Sequence, residues 1–224
     1  MCGLIGFTSK KYSKYINLCL SSIEHRGPDD SGTYYDENIV FGFQRLSIIE
    51  LTELGHQPMM SNDGKLVIIF NGEIYNHLEL RKLIGHSYNF KSNSDTETIL
   101  AGFQKFGSSF FKKLNGIFSL AIYNVEQKKI TLARDHFGVK PLYYYYKGGQ
   151  FIFSSEIKAL LKIPELDRTV DYNSIRNYIH YMYSPGNKTP LLYFKKFPSG
   201  NFLEIDLNKK LEKLTFKKYY EIPF

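Results

Sequence analysis

A cysteine stands at position 2, directly after Met1. Removal of an initiator methionine before a small residue would leave Cys2 carrying a thiol and a free α-amine together. Their ordinary pKa values, about 8.5 and about 8, let the two exchange a proton near neutral pH. A nucleophile with its own base is one route to nucleophilic catalysis. The run Cys2-Gly-Leu-Ile-Gly-Phe7 is apolar and glycine-spaced. It reads as a buried strand whose first residue faces a cavity. On these residues alone, an ordinary N-terminal strand with an incidental cysteine explains the pattern equally well.

Other stretches have ordinary readings by residue type. Ser94-Asp-Thr-Glu97 is a capping box, with a serine and a glutamate three residues on, opening an apolar-periodic helix through Ile99, Leu100 and Phe103. Asp95 in that first turn is favoured by the helix dipole. Asn71-Gly72 is a hairpin signal, although the following Glu73-Ile-Tyr-Asn76 leads toward a helix and disfavours a tight turn. Arg45 reads as a strand-end surface arginine. Cys19 falls at helical spacing with Ile16, Leu20 and Ile23, so it reads as core.

The elements that must position these residues are strands flanked by helices. Strands are expected over 40–45, 65–71, 117–124, 129–135, 142–146 and 150–154, with tight connections that point to antiparallel pairing. Helices are expected over 13–24, 76–84 (with Leu80, Leu83 and Ile84 inward), 156–162 and 171–182. The stretch 191–207 reads as a hairpin around Pro198-Ser-Gly200, and 209–224 shows no clear core face. The class is α+β rather than parallel α/β.

Composition excludes several functions. An apolar share of 43% with 23% charged residues is ordinary for a globular chain of 224 residues. Two cysteines make no disulfide framework, which favours a reducing, cytoplasmic setting. No signal peptide is visible, and no apolar run approaches the roughly 20 residues of a membrane span. The net charge of +7 is carried by dispersed lysines. They read as a solvated or docking face and not as a nucleic-acid site. The histidines and cysteines lack metal-ligand spacing, so no metal is expected.

Seven stretches stand in the order found in class II glutamine amidotransferases. They are Met1-Cys-Gly-Leu-Ile-Gly, His25-Arg-Gly-Pro-Asp-Asp-Ser-Gly32, Arg45-Leu-Ser-Ile48, Asn71-Gly-Glu-Ile-Tyr-Asn76, Ser94-Asp-Thr-Glu97, Arg134-Asp-His-Phe-Gly-Val-Lys-Pro-Leu-Tyr143 and Ser154-Ser-Glu-Ile-Lys-Ala-Leu160. With Gln57-Pro-Met59, the chain resembles the glutamine-hydrolysing domain of asparagine synthetases over nearly its whole length. The resemblance implies an N-terminal-nucleophile fold, a four-layer α/β/β/α sandwich of two antiparallel sheets. It implies a glutaminase domain over residues 1–206 and a linker over 207–224.

The same resemblance assigns roles. Cys2 is the nucleophile, with Asn71 and Gly72 supplying oxyanion donors. Arg45 grips the α-carboxylate of glutamine, Asp95 binds its α-ammonium with help from Glu73, and Leu46, Ile48 and Ile49 line the pocket. Arg26–Asp29 orders a neighbouring loop, and Arg134–Tyr143 fixes a corner or faces a partner domain. Glu50 departs from the family's usual aspartate, and Phe43-Gln44 from its usual His-Arg; both touch the surroundings of the site. The chain contains neither a Ser-Gly-Gly-x-Asp-Ser loop nor a Walker-type loop. No cofactor is therefore expected in it, and ATP and Mg belong to a synthetase domain acting in cis or in trans. A homodimer remains open, as does the acceptor of the ammonia. Two other classes fit the fold: a non-catalytic binding module, and an N-terminal-nucleophile hydrolase of another amide.

Overall fold

A computed structural model describes residues 1–222. The chain begins with β1 (Gly3–Phe7), α1 (Ile16–Ser22), β2 (Asp30–Tyr35) and β3 (Val40–Arg45). Then come β4 (Met59–Met60), β5 (Leu66–Ile74), α2 (His77–Ile84), α3 (Asp95–Phe106), β6 (Gly116–Asn124) and β7 (Lys129–Arg134). The rest is β8 (Tyr143–Lys147), β9 (Gln150–Ser154), α4 (Ile157–Leu160), α5 (Tyr172–Tyr181), β10 (Phe194–Lys196), β11 (Asn201–Asp206) and β12 (Phe216–Lys218).

The strands form two antiparallel sheets, ordered β10-β8-β9-β1-β3-β2 and β12-β11-β7-β6-β5-β4. Three apolar layers hold them. The middle layer packs Leu4, Phe41, Phe43 and Phe153 of the first sheet against Val67, Ile69, Ala121 and Leu132 of the second. Outside the first sheet, α1 and α4 contribute Ile16, Cys19, Leu20 and Leu160 over Ile5 and Ile152. Outside the second, α2 and α3 contribute Leu80, Ile84, Ile99 and Leu100 over Ile68, Phe70 and Leu120. The result is the four-layer α/β/β/α sandwich. β1 and β3 are buried along their whole lengths, which is why β1 reads as a continuous apolar run and why Gln44 and Arg45 at the end of β3 are buried polar residues. β2, at an edge, alternates instead.

Several elements depart from the sequence reading. Residues 191–207 are not a hairpin: β10 pairs with β8 in one sheet, whereas β11 pairs with β7 in the other. The Pro198–Gly200 turn carries the chain across between sheets. Leu83 points to solvent while Leu80 and Ile84 turn inward. The stretch after Asp206, expected as a linker, continues the fold: β12 pairs with β11, and Tyr219 is 7% exposed against Phe111 and Phe118. Residues 223–224 of that stretch lie outside the described residues.

Candidate active site

The first strand delivers Cys2 to the mouth of the sandwich. β1 lies between β3 and β9, so its start is fixed in register opposite Gln44. Cys2 then meets Leu46, the first residue beyond β3. The Leu46 N–H donates to Cys2 Sγ at 3.3 Å, and the thiol points back to the Leu46 carbonyl at 3.6 Å. The Arg26 Nε–H donates to the Cys2 carbonyl at 2.9 Å while its Nη1 pairs with Glu156 at 3.0 Å. Gly27 follows because a Cβ there would lie 2.4 Å from the Arg45 carbonyl carbon. Asp29 completes the clamp by accepting the Ser47 N–H at 2.8 Å. Burial pushes the Cys2 thiol above its ordinary pKa, and the Leu46 N–H opposes that shift. Burial also lowers the Met1 amine.

β5 presents a free edge to the same place. β4 pairs with it only at Ile68 and Val67. Beyond β4, the Gln57 side chain stands in for a strand. Its Oε1 accepts the Phe70 N–H at 2.6 Å, and its Nε2 donates to the Phe70 carbonyl at 3.3 Å and to Thr96 Oγ1 at 3.2 Å. Two turns of the pleat on, the Ile74 N–H donates to Asp95 Oδ2 at 2.9 Å. Alternate residues of a strand turn their amides to one edge. The Gly72 N–H, between Phe70 and Ile74, therefore faces the same edge, away from β6. A Cβ at Gly72 would lie 2.2 Å from the Ile117 carbonyl, so no other residue fits this register unchanged. Asn71, the neighbour, is 1% exposed, and neither its Nδ2 nor its Oδ1 has a hydrogen-bond partner. Asn71-Gly72 is thus mid-strand, and no hairpin turn forms there.

Arg45 closes β3 and is only 6% exposed, contrary to a surface reading. Its guanidinium donates to the Thr52 carbonyl at 3.0 Å and to the Glu50 carbonyl, which folds residues 46–55 over the cavity. The Glu50 carboxylate accepts from the Thr52 hydroxyl at 2.6 Å and from the Asn93 N–H at 3.1 Å. Those bonds, the Thr52 hydroxyl first, hold Glu50 below its ordinary pKa.

Asp95 opens α3 and is 5% exposed. Ser94 caps the helix by accepting the Thr96 N–H at 3.0 Å. The reciprocal half of the expected capping box is absent. Glu97 instead accepts the N–H groups of Lys91 and Ser92 at 2.9 and 2.8 Å and ties down the incoming loop. Burial, with a smaller contribution from neighbouring Glu73, raises Asp95 to about 7. Burial raises Glu73 as well, and Lys140 opposes it.

All nine residues singled out in the sequence, Cys2, Arg45, Leu46, Ile48, Ile49, Asn71, Gly72, Glu73 and Asp95, line one cavity of about 50 Å³. Sequence reasoning missed Gln57, Thr96 and Lys140, which stand in the same wall. Their only signal was membership of matched motifs. Chemically, the cavity joins a thiol, two unclaimed N–H donors, a guanidinium and two carboxylates of raised pKa. That set can attack an amide, hold an oxyanion and grip an α-amino acid.

A family profile described as a glutamine amidotransferase domain matches residues 1–220. The chain belongs to the glutamine amidotransferase domain family. Asparagine synthetase [glutamine-hydrolyzing] 1 of Bacillus subtilis is 37% identical over 100% of this chain and 36% of its own length. Asparagine synthetase B [glutamine-hydrolyzing] of Escherichia coli is 42% identical over 73% of this chain and 30% of its own length. The chain spans about a third of the length of these relatives. Among solved structures, glutamine phosphoribosylpyrophosphate amidotransferase from B. subtilis superposes on 98% of this chain and 49% of its own, with a TM-score of 0.67 at 17% identity. An allosteric regulatory enzyme of purine biosynthesis does so with a TM-score of 0.72 at 18% identity. Those two likenesses speak for the amidotransferase fold alone. No helix among the described residues is long and apolar enough to cross a membrane.

Proposed function

We propose that this domain hydrolyses L-glutamine to L-glutamate and ammonia through a γ-glutamyl thioester on Cys2. The observation that carries the reading is the meeting of the Cys2 thiol with the unpartnered Asn71 amide and the edge-facing Gly72 N–H. After loss of Met1, the α-amine of Cys2 takes the thiol proton as Sγ attacks the side-chain amide carbon. The oxyanion that forms is held by Asn71 Nδ2–H and Gly72 N–H. The same proton passes to the departing nitrogen, the C–N bond breaks, and ammonia leaves. Water then cleaves the thioester, restoring the thiol and releasing glutamate. Arg45 receives the α-carboxylate and Asp95 with Glu73 the α-ammonium. Leu46, Ile48 and Ile49 shape the side-chain channel.

The ammonia feeds an ATP-dependent synthetase domain that makes asparagine from aspartate, in cis or in trans. The identity with asparagine synthetases that are roughly three times as long supports this partner. ATP and Mg are assigned to that domain, and this chain uses no cofactor of its own.

The test is glutamate formation from L-glutamine by chain whose N-terminal residue has been verified as Cys2. Turnover by the parent and none by Cys2→Ala is the expected result. Equal turnover by both contradicts the reading.

A further inference from the structure

Lys140 stands in the wall of the Cys2 cavity without a task in the chemistry above. A lysine ammonium is rarely buried unless it is paired. Lys140 is 8% exposed, and among the described residues no carboxylate or other side chain pairs with its Nζ. Its stem is packed while the Nζ, absent from the sealed unpartnered atoms of the described residues, keeps access to solvent.

The turn that carries Lys140 is rigidly built. The Asp135 carboxylate accepts the N–H groups of Phe137, Val139 and Lys140 at 3.1, 2.9 and 3.0 Å, and that of Phe118 at 3.2 Å. The Arg134 guanidinium donates to the carbonyls of Lys140, Phe197 and Gly138 at 2.8, 2.7 and 2.7 Å. Lys140 thus starts from a fixed backbone and contributes to the wall shared with Cys2 and Glu73.

We propose that Lys140 is the positioning charge of the nucleophile, a fixed ammonium in the cavity wall that favours negative charge on Cys2 Sγ. The proposal rests on Cys2 being the nucleophile. The groups facing Cys2 are the Met1 amine (the Cys2 amine after processing), the Leu46 N–H, Glu73 and Lys140, with Arg26 on the Cys2 carbonyl, Asp29 near the amine, and Arg45, Glu50 and Asp95 in the same cavity. Burial and Glu73 disfavour the thiolate, while the amine, the Leu46 N–H and Lys140 favour it. Arg45 is a second cation of the cavity, its guanidinium placed by the Thr52 and Glu50 carbonyls. A positive charge that shares a cavity with a thiol favours its ionised form, and Lys140 adds to the larger effects of the Leu46 N–H and the amine.

The experiment measures the rate of Cys2 alkylation by iodoacetamide against pH, read as adduct mass on the N-terminal peptide of the folded protein. It requires no glutamine turnover, and peptide mass separates Cys2 from buried Cys19. In K140Q the midpoint of the profile rises, by up to about one pH unit, and K140R restores most of it. K140M, which keeps the stem packed, replaces K140Q if that variant does not fold. A reactive Cys2 whose midpoint is the same in the parent and in the neutral variant overturns the task of Lys140 alone. A midpoint displaced equally in K140R does so too. A Cys2 that is unreactive at every pH in the parent overturns the nucleophile and Lys140's task with it.

Discussion

Leu46 holds Cys2 through both of its backbone groups, N–H to Sγ at 3.3 Å and carbonyl facing the thiol at 3.6 Å. Forty-four residues separate the two in sequence. The contact therefore ties the first strand to the loop that Arg45 folds over the cavity. In Cys2→Ala the Leu46 amide loses its acceptor. Its hydrogen exchange should accelerate, while amides in the centre of β1 and β3 keep their protection. Unchanged exchange at Leu46 would show that the sulfur contact does not hold the loop.

Asn71 carries a buried amide with no partner on either atom. Such a group costs stability, so removing it should not weaken the fold. Asn71→Ala is expected to keep or raise the melting temperature while kcat for glutamine falls about 10²- to 10³-fold. A loss of melting temperature with kcat retained would make Asn71 a structural residue.

Asp95 gives the site a pH dependence whose sign follows from its raised value. Folded, it keeps its proton up to about pH 7, whereas an unfolded aspartate releases it near about 3.9. Its protonation therefore stabilises the empty fold fully below about pH 3.9, and that contribution is lost as pH rises through about 7. An α-ammonium needs the ionised form. Binding below about pH 7 must then expel a proton, and KM for glutamine should rise toward tenfold per pH unit as pH falls. Steady-state kinetics from pH 5.5 to about 8.5 check this. A flat KM would remove Asp95 from ammonium recognition.

Tyr219 anchors the end of the described chain. Its ring packs on Phe111 and Phe118, and its hydroxyl donates to the Arg134 carbonyl at 2.7 Å. Tyr219→Ala should cost about 3–5 kcal/mol in denaturant unfolding, as for other buried aromatics. Truncation after Asp206 should cost at least as much. An unaffected truncation would return 207–222 to the status of a linker.

The sequence was most legible where one element decides its own fate. β3 is buried on both faces, and the strand expected over Val40–Arg45 has those ends in the fold. The helical spacing of Ile16, Cys19, Leu20 and Ile23 likewise matched a single packed face. It was least legible where distant pieces meet. Nothing local shows that Gln57 completes the β5 ladder at Phe70, or that Lys140 enters the Cys2 cavity. Residues 191–207 carry hairpin punctuation, yet Phe194 finds β8 and Phe202 finds β7, in different sheets. The end of the chain misled for a similar reason. A three-residue edge strand and one aromatic anchor leave too short a pattern to show a period. For the site, residue types alone left Arg45 a surface arginine and Asp95 a helix cap. Only the ordered motifs grouped them with Cys2.

The most direct measurement is the mass of the N-terminal peptide before and after exposure to a glutamine-like diazo-ketone that alkylates glutaminase nucleophiles. The expected result is a peptide lacking Met1, with a single adduct on Cys2 that excess glutamine prevents. Retained Met1 with no adduct on Cys2, or an adduct that glutamine does not block, would contradict a Cys2-dependent glutamine site.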